Sequence, residues 1–165
     1  MADNHPHVSI RKFQDRPVET RKIEIILQAA MQAPTADNQQ PWEFFVVSNK
    51  EKLNALSKVS PNAFLTREAP LTIVTAYRKD SLSQVYAQFY LSIVMENLWL
   101  EVDTQGLGGV WLGLAPNEER MKAVEEILAL PENLSAFAMF PVGYADEERD
   151  PRQVRFESER IHWIE

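Results

Sequence analysis

The stretch from Ser83 to Gln105 is the feature that most constrains the fold. It is the longest helical pattern in the chain, and its apolar residues Val85, Phe89, Ile93, Leu98 and Val102 cannot share one narrow stripe. A helix on a protein surface needs a single apolar face, because its opposite side meets water. A helix that is apolar around more of its circumference must be covered on several sides. It therefore forms either the centre of the domain or an interface between two copies of the chain.

The elements around it can be read from local patterns. Ile23, Ile26, Leu27, Ala30 and Met31 recur at helical spacing, with Thr20 as the expected N-cap and Pro34 as the stop. Trp42 to Val47, rich in aromatic and β-branched residues, reads as a strand. Lys50 to Val59 reads as a short helix with Leu53 and Leu56 inward, and Leu71 to Tyr77 as a strand apolar enough to be buried on both faces. Gly106 to Gly109 ends the long helix, Val110 to Leu112 is a short strand, and Gly113 to Pro116 a turn. Asn117 caps a helix running to Leu128. Ala136 to Tyr144 is a last central strand, in which Pro141 signals an edge or a bulge. No repeat, low-complexity tract or linker divides residues 1–165, so one domain is expected. The irregular alternation of strands and helices predicts an α+β fold, a central mixed or antiparallel sheet sandwiched by helices.

Composition removes several classes of function. A formal charge of −7 leaves no basic stripe for a nucleic-acid backbone. The absence of cysteine excludes disulfides, thiol nucleophiles and cysteine-ligated clusters, so any redox chemistry must be carried by a bound cofactor. Ser92, Glu96 and Asn97 interrupt the longest apolar run, and the N-terminus lacks the profile of a secretory signal. A soluble, cytoplasmic protein without membrane contact is expected. The pair His5 and His7 has no third ligand near it in sequence, so no metal site is expected. Gly106-Leu107-Gly108-Gly109 lacks the third glycine and the strand-to-helix order of a dinucleotide fingerprint. There is no phosphate loop and no nucleophile elbow.

Two polar clusters remain. Ala33 to Trp42, read A-P-T-A-D-N-Q-Q-P-W, gathers a hydroxyl and side-chain amides on a loop stiffened by two prolines. Such groups suit a planar heterocycle with donors and acceptors around its rim, and they equally suit an ordinary loop after a helix. In His7-Val8-Ser9-Ile10-Arg11-Lys12-Phe13, an extended backbone turns Ser9 and Arg11 to one side. A hydroxyl beside a guanidinium fork fits an anionic oxygen pair, and it also fits a solvated surface.

The order of these motifs resembles the FMN-dependent nitroreductase family. The likeness continues through G-L-G-G-V-W-L-G-L (Gly106 to Leu114) and the tail R-F-E-S-E-R-I-H-W (Arg155 to Trp163), and so spans nearly the whole chain. The resemblance implies an NAD(P)H oxidoreductase that binds FMN non-covalently and works as an obligate homodimer. It places Ser9 and Arg11 on the cofactor phosphate and ribityl chain, with His7 standing where the family usually has arginine. Arg155 matches a second basic position, although an ion pair with Glu157 or Glu159 is an equal reading of its charge spacing. Pro34, Thr35, Asn38 and Gln40 come to the rim of a flavin held mainly by the other copy, with Trp42 packed beneath the loop. The backbone of Gly113 and Leu114 lies near the reactive flavin nitrogen. No catalytic side chain is needed, because the flavin carries the hydride between NADH or NADPH and a nitroaromatic, quinone or similar acceptor. Two other readings stay open from sequence: a flavin sensor or carrier without turnover, and a helical interaction module.

Overall fold

The two longest strands run side by side through the middle of the sheet. The computed structural model describes residues 8–80, 84–148 and 156–164. Its elements follow the order α1 (Thr20–Ala30), β1 (Trp42–Val47), α2 (Lys50–Leu56), α3 (Leu65–Glu68), β2 (Leu71–Arg78), α4 (Gln84–Thr104), β3 (Gly108–Gly109), β4 (Leu112–Gly113), α5 (Glu118–Leu128) and β5 (Leu134–Gly143). The strand order is β1-β2-β5-β3, with β4 also on β5. Each of these pairings is antiparallel, which decides between the mixed and antiparallel expectations. All of β5 is buried, as is β2 up to Arg78, so helices cover both faces of the sheet's centre.

Pro141 departs from expectation. It lies in the central strand, facing Thr72 in regular register, and the irregularity between β2 and β5 falls instead at Thr75/Ala76. Its effect shows on the other side of β5. Gly109 faces Val142 and Leu112 faces Met139, so one register continues through β3 and β4 with Val110 opposite Pro141. The Val110 N–H donates to Pro141 O at 3.3 Å. Proline has no N–H to return the bond. The expected strand Val110 to Leu112 is thus split into two short pieces by a residue on its neighbour.

The helix α4 packs on β2, β3 and β5, and α1 packs on α4. Gln88 Nε2 donates to Tyr77 Oη at 3.3 Å, and the Trp99 ring meets Phe140 edge-on at 5.5 Å. An aromatic pair of that geometry adds about 0.5–1.5 kcal/mol beyond its buried area. Ala87, Leu91, Val94, Met95, Leu98 and Val102 are fully buried, while Tyr86, Phe89, Ile93 and Leu100 are exposed. The apolar residues of α4 therefore form two stripes, and the chain's own elements cover one of them.

The termini of the flanking helices follow local chemistry with one correction. Asn117 Oδ1 accepts the Arg120 N–H at 3.0 Å and caps α5, as expected. Thr20 is not the N-cap of α1. It is the first helical residue, and Glu19 holds the cap position without a side-chain cap bond. The Glu19 carboxylate is engaged elsewhere, by Tyr144 Oη at 2.6 Å and Arg16 Nη2 at 3.1 Å. Among the described residues, no helix is long and apolar enough to cross a membrane.

Candidate functional site

The loop before β1 is strained, and its polar groups hold one another in place. Asp37, Asn38 and Gln40 have φ values of 51°, 52° and 45°. Such left-handed conformations are uncommon for residues with a Cβ, although Asp and Asn adopt them most readily. The Gln40 N–H donates to Thr35 Oγ1 at 3.2 Å, and Gln40 Nε2 donates to Asn38 Oδ1 at 2.8 Å. Trp42 is buried in the core, while Pro34, Asn38 and Gln40 are exposed and Thr35 is half-buried.

Two residues missed in the sequence tether the loop. Arg78 Nη2 donates to Gln39 O at 2.9 Å and to Gln40 O at 3.0 Å, and the Arg78 backbone N–H donates to Pro41 O at 2.8 Å. Tyr90 Oη accepts the Ala36 N–H at 3.2 Å. A cation closing an otherwise uncharged strand was the available signal for Arg78. Its partner carbonyls stand nearly forty residues away in the chain.

A second locus forms along the outer edge of β3 and β4. The Ile10 N–H donates to Gly109 O at 2.9 Å, fixing the segment that carries Ser9 and Arg11. Ile10 is fully buried, and a Cβ on Gly108 would lie 2.4 Å from Ile10 Cγ1, so glycine permits the close approach. Arg11 is exposed, and among the described residues its guanidinium meets only Ser9 O, at 3.5 Å. The backbone N–H groups of Arg11 and Lys12 both donate to Glu147 Oε1, at 2.5 and 3.2 Å.

Gly113 sits further along the same edge, about 13 Å from Gly109 at strand spacing. Antiparallel pairs alternate between bonded and non-bonded. Val110 and Leu114 both donate to β5, so the intervening Gly113–Ala138 pair is non-bonded and the Gly113 N–H points away from β5. A Cβ there would meet nothing within 4 Å. Leu114 does not share this property. Its N–H donates to Phe137 O at 3.1 Å and the residue is 2% exposed, so the open donor of the pair Gly113 and Leu114 belongs to Gly113.

One chain does not bring the two loci together. The loop meets the sheet at Arg78, level with Leu134, whereas Ile10 meets it at Gly109, level with Val142 and across three strand spacings. At about 3.3 Å per residue and 4.8 Å per strand, the loop's anchor at Arg78 stands roughly 30 Å from Ile10 and roughly 15 Å from Gly113, which is level with Ala138. A cleft of about 410 Å³ lined by Tyr77, Gln88, Pro116, Met121 and Ser135 contains none of the expected site residues. His7 and Arg155 lie outside the described residues, as does His5.

These features define an α+β domain with an antiparallel sheet, an open backbone donor on one edge and a rigid polar loop at the far corner. The chain belongs to the nitroreductase family, whose sequence profile matches residues 7–66 and 57–144. A protein of Archaeoglobus fulgidus, provisionally named NADH dehydrogenase/NAD(P)H nitroreductase, is 39% identical over 158 residues, covering 93% of this chain and 91% of its own. The crystal structure of a protein of Clostridium acetobutylicum, provisionally described as NADH oxidase, superposes with a TM-score of 0.89 at 39% identity, covering 94% of this chain and 95% of the other. An FMN-dependent nitroreductase from Clostridium difficile superposes equally well, at 0.89 and 30% identity, covering 98% of this chain and 96% of its own.

Proposed function

We propose that the protein is an FMN-dependent NAD(P)H oxidoreductase whose sites are shared between two copies of the chain. The observation that carries this reading is the outer sheet edge. There the half-buried Ser9, the exposed Arg11 and the outward Gly113 N–H lie along one edge, with open space over the glycine. The donor set fits FMN: Arg11 and Ser9 suit a terminal phosphate, and an unobstructed backbone N–H suits a flat ring. His7 and Arg155 add positive charge in this reading. FMN supplies the centre that accepts a hydride from NADH or NADPH and passes electrons to a nitroaromatic or quinone-like acceptor.

The chain's own residues bind and orient. Arg11 neutralises phosphate charge, and Gly113 directs its donor at the ring nitrogen where charge changes. Thr35, Asn38 and Gln40 of the second copy line the rim, because within one chain their anchor at Arg78 stands roughly 15 Å from Gly113, beyond contact with a ring placed over that glycine. The exposed stripe Tyr86, Phe89, Ile93 and Leu100 on α4 supplies the apolar interface.

The test is spectroscopic. The purified protein is expected to be yellow, with FMN near one per chain, and to bleach anaerobically with NADH or NADPH before any acceptor is added. Steady-state plots against a quinone should give parallel lines, because one ring face admits donor or acceptor in turn. Released FAD, or a colourless protein that takes up no FMN, overturns the cofactor reading. Bound FMN that neither nicotinamide bleaches overturns the reductase reading and leaves a flavin carrier. Intersecting lines refute alternate occupation.

A further inference from the structure

We infer that Arg78 is a positioning residue for the loop that carries Thr35, Asn38 and Gln40, and that cofactor binding depends on its clamp. The proposal rests on the FMN reading above. Three loop residues, Asp37, Asn38 and Gln40, hold left-handed backbone conformations without being glycine. Asp and Asn tolerate that region through local hydrogen bonds, but a long side chain such as Gln gains no such relief. A backbone of this kind persists only where its surroundings over-determine it.

Arg78 provides that constraint at the point of greatest strain. One guanidinium nitrogen bonds the carbonyls of Gln39 and Gln40, and the main chain of the same residue bonds the carbonyl of Pro41. Three successive peptide units are thereby fixed to the end of β2. The guanidinium is itself oriented by two carboxylates, Glu43 Oε1 at 3.4 Å and Asp80 Oδ1 at 3.8 Å. With Gln40 O held, its N–H reaches Thr35 Oγ1 and its side-chain amide reaches Asn38. The clamp thus sets the positions of three polar groups through the loop backbone. A lysine keeps the charge but is a single point donor on a flexible stem, so it replaces the planar fork only in part.

The experiment compares Arg78→Ala and Arg78→Lys with wild type by amide hydrogen exchange over residues 36–41, FMN titration and the flavin visible spectrum. Arg78→Ala is expected to speed loop exchange, raise the FMN dissociation constant about tenfold and shift the flavin band, with Arg78→Lys intermediate in all three. If Arg78→Ala does not fold, Arg78→Lys decides alone: it should melt like wild type yet bind FMN several-fold more weakly. Unchanged loop exchange, or faster exchange with unchanged FMN affinity, overturns the proposal. Wild-type protein that takes up no FMN overturns the functional reading and this proposal with it, and is recognised before any substitution is made.

Discussion

Replacing Gly108 by alanine tests whether the segment bearing Ser9 and Arg11 is held to the sheet edge by close packing. The new Cβ would lie 2.4 Å from Ile10 Cγ1 and 2.8 Å from Ile10 Cβ, where carbon atoms normally rest at about 3.5–4.0 Å. Because Ile10 Cβ is itself in the clash, no rotation of the side chain relieves it. Either the core strains around a fixed Ile10, or the segment leaves the edge and breaks the bond from Ile10 N to Gly109 O. Overpacking of this kind costs about 1–3 kcal/mol. Ejecting Ile10 would forfeit about 1.5–3 kcal/mol of burial, so both routes predict a similar loss. For a domain of this length each kcal/mol lowers Tm by about 2–4 °C, giving a fall of about 2–12 °C. Calorimetry at fixed protein concentration measures it, and FMN titration should show weakened binding because Ser9 and Arg11 flank the displaced residue. Adding Ile10→Ala removes the nearer of the two clashing carbons, so the double variant should be less destabilised than the sum of the singles by about 0.5–3 kcal/mol. An unchanged Tm, or strict additivity, would refute the reasoning.

Three further outcomes are expected. Arg11→Ala should weaken FMN binding about ten- to a hundredfold, more than His7→Ala does, since a charge-assisted contact is worth roughly 1.5–3 kcal/mol; an unchanged dissociation constant would return Arg11 to the solvated surface. Phe89→Asp should convert a dimer to monomers that lose flavin, because it places a charge in the exposed apolar stripe of α4; sedimentation velocity checks this, and a flavin-loaded monomer of the wild type would contradict it. The bond from Tyr144 Oη, followed by the residue's own backbone bond and Arg16, holds the Glu19 carboxyl below the usual carboxylate range. Its stabilisation is therefore present above the unfolded-state value and lost as pH falls through the lowered folded one. Between about pH 6 and pH 3 the Tm of wild type should fall further than that of Glu19→Gln, and parallel curves would dismiss the effect.

The parts legible in the sequence are those set by interactions within a few residues. Trp42–Val47 begins and ends where its composition does, α4 ends within one residue of its pattern, and Asn117 caps α5 through a bond three residues long. The ordered motifs were also enough to indicate the family, because short runs around a binding loop survive without knowledge of their neighbours. Where a competing partner was distant, local reading failed. Glu19 stands at the cap position in place of Thr20 with its side chain drawn to Tyr144, and Val110 left its strand because Pro141 faces it from β5. Which sheet edge would carry Ser9 and Arg11, that Gly113 rather than Leu114 keeps an open N–H, and that Arg78 grips the loop all depend on strand order and register. Those follow from which apolar faces bury each other and which backbone donors find partners across the chain. Only the folded arrangement sets those pairings, because each joins groups that the sequence keeps far apart.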